Sequence, residues 1–312
     1  MIKERIVIFG GFGFVGKNII EKLYLDYDIH VIDKNIDLEF ISVYKNIKYT
    51  QYDFLKDENI SDIIDFINPE YVINLISLVS AERKIEIFDL LYQLNTAVVL
   101  KLFEVFKGKE NLKLFIHFGS GEEYGNIASP HKESMREDPN SPYALIKQLT
   151  TNTVMMLNKN YGFPSMVIRP SNLFGIHQPE NKFIPYIITK LKSGEPVEMT
   201  EGLQKRDFIY IDDFTELVNK IIKNNSKFIG RIINVGSGKS YPLRDIVEYI
   251  KSKTKSDSII DFGKIPYREN EIMDFCLSIN ELEYLLSENL DTDLYENLDK
   301  YIKIMEEKKW SY

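Results

Sequence analysis

Along the first half of the chain, short apolar runs alternate with longer stretches in which apolar residues recur every three or four positions. The short runs Arg5–Phe9, Ile29–Ile32, Ile47–Gln51, Tyr71–Leu75, Leu112–Phe118 and Ser165–Arg169 predict strands. The stretches Phe14–Leu25, Ile60–Ile67, Ile85–Phe106 and Pro142–Asn160 predict helices. Such alternation predicts an α/β fold built on a doubly wound parallel sheet. Ile85–Phe106 is apolar on more than one face, with Ile85, Phe88, Leu91, Val98 and Leu102 joined by Ile87, Leu90, Leu94 and Phe106. A helix of that kind needs cover on both sides. The sheet supplies one side, and a partner subunit or deeper burial the other.

Beyond Arg169 the rhythm breaks. Pro170, Pro179, Pro185 and Pro196, with Gly175, Gly194 and Gly202, predict loops that carry a substrate site. A strand at Asp207–Ile211, a helix at Asp213–Lys223 and a strand at Arg231–Val235 predict a return to the sheet. Helices at Leu243–Lys251, Ile279–Leu286 and Leu290–Lys308 then complete a smaller lobe. The expected division is 1–172 with about 207–236 for a dinucleotide-binding part, and about 173–206 with 237–312 for the smaller α/β lobe.

Composition narrows the function. The 312 residues are 44% hydrophobic and 28% charged, which is ordinary for a globular protein. A net charge of -8 argues against nucleic-acid or anionic-membrane partners. The single cysteine, Cys276, rules out an internal disulfide and reads as a small core residue. His30, His117, His131 and His177 show no metal-ligand spacing, so no metal is expected. The leading apolar run Met1–Phe9 is too short for a secretory leader, and no uncharged stretch matches a membrane span, so a cytoplasmic chain is expected.

The first strand runs directly into Gly10-Gly11-Phe12-Gly13-Phe14-Val15-Gly16 and then a helix. Glycines at that junction let the backbone approach a pyrophosphate at a helix N-terminus, as in a Rossmann-type fold. Asp33 ends the next strand about twenty residues further on, placed to accept from ribose hydroxyls. Its carboxylate repels a 2′-phosphate, which favours NAD over NADP, although Lys34 follows it. Asp53, past the third strand, is placed to meet the adenine edge.

The chemistry lies later. Ser120 follows a strand in His117-Phe118-Gly119-Ser120-Gly121-Glu122-Glu123-Tyr124-Gly125. Ser141 is a good N-cap and Pro142 suits a first helical position, so Tyr143 and Lys147 stand one turn apart on one helix face. Free tyrosine has a pKa near ~10, and forming phenolate at neutral pH needs about three units, or roughly 4 kcal/mol. A neighbouring ammonium and an oxidised nicotinamide ring are the charges expected to supply it.

These motifs resemble the extended short-chain dehydrogenase/reductase family, in its NAD-dependent nucleotide-sugar epimerase/dehydratase branch. The resemblance runs over nearly the whole chain and rests also on Arg169-Pro170-Ser171-Asn172 with Gly175, Gln204-Lys205-Arg206-Asp207-Phe208, Asp212-Asp213 and Asn234-Val235-Gly236. It implies that Ser120 and Tyr143 act on a sugar hydroxyl and that Lys147 also holds the nicotinamide ribose. Phe14, Val15, Phe54, Leu75, Ile76, Ser77, Asn95 and Pro170 would join the glycines and Asp33 around the cofactor. Asn172 would contact substrate, and Arg206 and Arg268 would clasp its pyrophosphate, which suits planar guanidinium. It also implies a homodimer through the two long helices.

One departure bears on the reaction. The resemblance places a proton donor of 4,6-dehydratases where this chain has Gly121, which has nothing to donate; Glu122 remains to orient the sugar or take a proton. The segment Gly202–Phe208 and the Arg268–Glu271 region look most like C4 oxidoreductases of GDP- or CDP-linked deoxy- and heptosugars. The expected activity is therefore a C4 dehydrogenase holding NAD tightly, in cell-surface polysaccharide precursor synthesis. The alternatives are a 4-epimerase, a 4-ketoreductase, a 4,6-dehydratase or a non-catalytic NAD sensor.

Overall fold

The computed structural model of the chain describes residues 3–80 and 83–307. Met1 and Ile2 of the leading run, and Lys308 of the last expected helix, lie outside them. Among the described residues the strands are β1 (Arg5–Phe9), β2 (Asp28–Asp33), β3 (Lys48–Gln51), β4 (Tyr71–Asn74), β5 (Leu114–Phe118), β6 (Ser165–Pro170), β7 (Asn172–Phe174), β8 (Val197–Met199), β9 (Lys205–Tyr210), β10 (Ile232–Val235), β11 (Ser240–Pro242), β12 (Ile260–Phe262) and β13 (Asp274–Phe275).

Seven of them form one parallel sheet in the order β3-β2-β1-β4-β5-β6-β10. Strand side chains alternate between two cores. Ile6 and Ile8 of β1 join Leu114 and Ile116 of β5 on one face, while Val7, Phe9 and Phe115 lie on the other. Helices Phe14–Leu23 and Ile211–Lys223 cover the first face, and Val98–Phe106 with Pro142–Tyr161 cover the second. Burial on both faces explains why these strands read as continuous apolar runs. The chain winds one way from β1 to β3 and the other way from β4 onward. The loops leaving the C-terminal ends of β1 and β4 therefore diverge and open a crevice.

Three expectations are corrected. The Ile85–Phe106 stretch is not one regular helix. It is a 3₁₀ turn (Ile85–Ile87), a helix (Phe88–Tyr92), a wide π turn (Gln93–Ala97) and a second helix (Val98–Phe106). Within the π turn, the Asn95 side chain donates to the Leu91 carbonyl at 2.8 Å and competes for the bond that regular winding would use. The strand expected to re-enter the sheet at Asp207 does not; β9 pairs instead with β7, β11 and β13, and only β10 returns. Buried Asp207 explains this: its carboxylate accepts from the Ser237 and Leu277 amides at 2.9 and 3.2 Å, outside any ladder of the large sheet. Finally, the proline-punctuated stretch contains the helix Phe183–Lys192. Pro185 falls in its first turn, where a missing N–H costs nothing.

The rims of the sheet are polar. On β3, Lys48, Tyr49 and Gln51 are exposed, and on β10 the Asn234 amide donates to Glu133 Oε1 at 3.0 Å. The ring of Phe115 is fully buried at the middle of β5. Phe115→Ala is expected to cost about 3–5 kcal/mol, measured by denaturant unfolding.

Candidate active site

The glycine turn leaves β1 at Gly10, whose φ of +72° suits glycine. At Gly16 a Cβ would overlap the Gly11 backbone, so only glycine lets the following helix pack on the turn. That helix carries no acidic residue in its first turn, leaving its N-terminus free to attract an anion. The Asp33 carboxylate accepts from the Phe12 amide and the Asn35 amide, both at 3.1 Å, and so faces the turn. A cavity of about 320 Å³ opens here, lined by Gly10, Gly13, Asp33, Lys34, Asp53, Phe54, Leu75, Ile76 and Ser77, together with Phe12, Asn35 and Leu94. Asp53 Oδ1 is engaged by the Leu55 amide of its own loop at 3.0 Å.

A second cavity, about 570 Å³, shares Gly10, Gly13, Leu75 and Ser77 with the first, so the two form one trough along the strand ends. Phe14, Val15, Gly16, Ser120, Glu122, Tyr143, Lys147, Pro170 and Asn172 line it. Asn95 does not. It is fully buried behind the trough, where its Oδ1 accepts from Ser77 Oγ at 2.8 Å.

The helix Pro142–Tyr161 begins as its sequence requires. Ser141 Oγ accepts from the Ala144 amide at 3.1 Å, Pro142 follows, and Gly162 ends the helix in the left-handed region. Its buried face brings in both Tyr143 and Lys147. The Lys147 ammonium donates to the Phe118 carbonyl at 2.8 Å and stands 5.9 Å from the centre of the Tyr143 ring. The Tyr143 hydroxyl is hydrogen-bonded by Ser120 and Ser77.

The protein's own groups, without the charge of a cofactor, set the starting electrostatics. Burial pushes the Tyr143 phenol well above its usual value, and the charges of Glu122 and Glu123 push the same way. The Ser120 and Ser77 hydrogen bonds pull down but do not win, so the phenol is protonated at neutral pH. Burial also lowers Lys147 to about 8, against the opposing charge of Glu123. Lys147 thus pays for its charge when folded below that pH, and the penalty lifts as pH rises from about 8 toward its unfolded value. Lys147→Met is expected to cut turnover about 100-fold or more. Its stability advantage over the parent should shrink across that same pH window, as followed by thermal melts.

Glu122 and Glu123 have opposite environments. Glu122 opens onto the trough yet is walled by protein, and that desolvation raises its carboxyl against the pull of Arg83, Arg206, Arg268 and Lys182. Glu123 turns inward and is completely buried. Its Oε1 accepts from the Ser120 amide at 2.8 Å and the Thr151 hydroxyl at 2.9 Å, while Oε2 accepts from Arg169 Nε at 2.8 Å. Arg169 is equally buried, reaches Glu137 at 2.5 Å and stacks over the Tyr124 ring at 4.7 Å. Glu123→Ala would leave Arg169 with Glu137 alone and strip the Ser120 amide and Thr151 hydroxyl of their acceptor, for which a loss of about 3 kcal/mol is expected in chemical denaturation.

On the far wall, Asn172 Nδ2 donates to the Asp207 carbonyl at 3.0 Å. Arg206 pairs with Glu271 and donates to the Ile272 carbonyl at 2.6 Å, so its guanidinium is fixed. Arg268 is exposed, and its charge reaches both Glu122 and Arg206. Lys182, Phe183 and Phe275 also line the trough, beside Phe208 of the Gln204–Phe208 motif, and were missed from sequence because residues scattered over ninety positions form no motif. In the sequence the buried network showed as the doubled acid Glu122-Glu123 and as Arg169 within the Arg169–Asn172 motif. The four histidines take structural contacts: His30 with Thr50, His117 with Asn74, His131 with the Ile127 carbonyl and His177 with Glu21. Cys276 is only half-buried. Among the described residues no cluster of His, Cys, Asp and Glu could hold a metal, and no helix is long and apolar enough to cross a membrane.

Residues 6–236 match the NAD dependent epimerase/dehydratase family. The chain belongs to that family. The glycine turn, the inward Asp33 and the continuous trough fit the family's NAD, whose pyrophosphate would lie at Gly10–Gly16 and whose ribose would meet Asp33. Among relatives, the chain is 39% identical to CDP-abequose synthase of Salmonella muenchen over 107 residues, 34% of this chain and 36% of that one. It is 26% identical over 272 residues to a trifunctional UDP-glucose 4,6-dehydratase, epimerase and reductase of Arabidopsis thaliana, covering 79% of this chain and 39% of the other. The matches thus span little more than a third of either relative's length. Over the full fold it is similar to a UDP-N-acetylglucosamine 4-epimerase from Methanobrevibacter ruminantium, solved with UDP-N-acetylmuramic acid. That likeness has 27% identity and a TM-score of 0.88, and it covers 99% of this chain and 100% of that one.

Proposed function

We propose that the chain is an oxidoreductase acting at C4 of a nucleotide-activated sugar, running as a C4 dehydrogenase on a GDP- or CDP-linked hexose or heptose. The expected setting is surface-polysaccharide precursor synthesis. The observation that carries this reading is the meeting of the Ser120 and Tyr143 hydroxyls beside Lys147, in the larger half of the trough. The name of the relative that is 39% identical supports a cytidine nucleotide.

Bound NAD supplies the hydride acceptor. In this direction Tyr143 must first release its own proton to solvent; as phenolate it would then take the proton of the C4 hydroxyl and become phenol, while Ser120 holds the oxygen in line. Lys147, anchored to the Phe118 carbonyl, would supply positive charge that favours the phenolate before that transfer. Arg206 and Arg268 would bind the substrate pyrophosphate, with Asn172 on the sugar. Exposed apolar Leu90, Tyr92 and Leu100, with Leu145, Leu149 and Met156 on the long helix, support a homodimer through these elements.

A second reading, reduction of a 4-keto sugar, is favoured by the protonated state of Tyr143: a buried phenol stands ready to give its proton to a carbonyl oxygen. The two readings share every residue and differ in direction. Dehydration is disfavoured because Gly121 has no proton to give.

Purified protein incubated with CDP-, GDP-, UDP- and dTDP-sugars is expected to change nicotinamide absorbance with at least one of them, with products read by mass spectrometry. No oxidation, reduction or epimerisation of any would reject the proposal. Tyr143→Phe should lose about 10²–10⁴-fold in turnover while binding NAD as before; a non-catalytic NAD sensor would keep its output in that variant.

A further inference from the structure

Three loops beside the trough meet at Asn140. Arg83, on the loop after β4, donates from Nη1 to the Asn140 carbonyl at 2.6 Å. Asn126, on the turn after β5, accepts at its Oδ1 from Asn140 Nδ2 at 2.9 Å. The same Nδ2 donates at 3.4 Å to the carbonyl of Asn270, on the loop between β12 and β13. Arg83 and Arg268, the latter two residues before Asn270, both act on the charge of Glu122, which lines the trough. Asn140 itself directly precedes Ser141, the cap of the helix that carries Tyr143.

One side of this contact is firmly built. Gly125 and Asp138 form a short bridge, so close that a Cβ on Gly125 would overlap the Asp138 carbonyl. The Asn126 amide donates to that carbonyl at 3.2 Å, and the Asp138 amide donates to the Tyr124 carbonyl at 3.1 Å. The turn that carries Arg268 is held more lightly. The Glu271 amide closes it by donating to the Arg268 carbonyl at 3.2 Å, and the Glu271 carboxylate pairs with Arg206. Arg268 is exposed, so the reach of its guanidinium depends on where this turn is held.

We propose that Asn140 is a positioning residue: by tying the Arg268 turn to the start of the Tyr143 helix, it holds that arginine ready for the diphosphate of a nucleotide sugar. The inference rests on the reading above, in which Arg206 and Arg268 bind that diphosphate. Arg206 is already fixed by Glu271 and the Ile272 carbonyl, so the tie matters for Arg268. A loop held in place beforehand loses less freedom when its ligand arrives. Asparagine suits the task, because Nδ2 carries two hydrogens and can serve a side-chain oxygen and a main-chain oxygen at once. The same contact relates the diphosphate clasp to the reacting hydroxyls, since Tyr143 lies only three residues further along the chain.

The test needs no turnover: CDP, GDP, UDP and dTDP are titrated by calorimetry into the full chain with NAD present. For the diphosphate that the parent binds best, Asn140→Ala is expected to raise Kd about 3-fold to 10-fold, the span open to a net hydrogen bond. Asn140→Leu, close to asparagine in bulk, should weaken binding as much, while NAD affinity stays unchanged in both variants. In an Arg268→Ala background, where the clasp is already lost, Asn140→Ala should add nothing further. Parent-like diphosphate binding by Asn140→Leu, or a further loss in the Arg268→Ala background, overturns this inference alone. A matching loss of NAD affinity would mark a general structural role and overturn it as well. Should the parent bind none of the diphosphates, the nucleotide-sugar reading falls and this inference with it.

Discussion

An ammonium buried beneath a sheet is tolerable only where something polar answers it, and here the answer is one carbonyl at the end of β5. The Lys147–Phe118 bond ties the long helix to the strand end, and the whole reactive corner depends on that tie. It holds the turn of helix that carries Tyr143 against the loop that carries Ser120. It also explains why the phenol's environment is set by burial more than by charge. Lys147 spends its positive charge on a backbone oxygen beneath the ring and acts on the hydroxyl from a distance.

Behind that tie stands a second layer of compensation. Glu123 brings a full charge into the interior, and Arg169 matches it from β6. The Ser120 amide and the Thr151 hydroxyl occupy the remaining acceptor capacity of one oxygen. Thr151 lies one helical turn past Lys147, so a single carboxylate touches the serine loop, the lysine helix and the neighbouring strand. Breaking any member leaves a buried group without its partner, which is the costly direction for such networks. Loop and helix are thereby held in one relation rather than several.

Much of this was legible in the sequence because it obeys local rules. The glycine turn, Asp33 at a strand end, and the Ser141-Pro142 start of the long helix are fixed by backbone geometry and capping, and both follow from residues a few positions apart. The β1 strand was legible for the same reason, being apolar on successive residues. What escaped was non-local. β9 carries apolar residues yet joins a different sheet, because Asp207 finds its amides at Ser237 and Leu277, thirty and seventy positions away. The π turn at Gln93–Ala97 depends on a side chain competing with its own helix, a contest invisible to periodicity. Phe275 reaches Gly121 across more than one hundred and fifty residues, and neither position advertises the other. The phenol's protonation likewise depends on burial, which composition alone does not give.

The treatment of the sheet's two rims has a consequence for life at high concentration. An open parallel sheet offers bare amides and carbonyls at each border, and such borders recruit strands from other molecules. Here one border is lined with exposed polar residues that resist docking of a flat neighbour, and on the opposite border a carboxylate from a distant loop occupies the Asn234 amide. Growth of the sheet into a fibre is thereby discouraged at both ends.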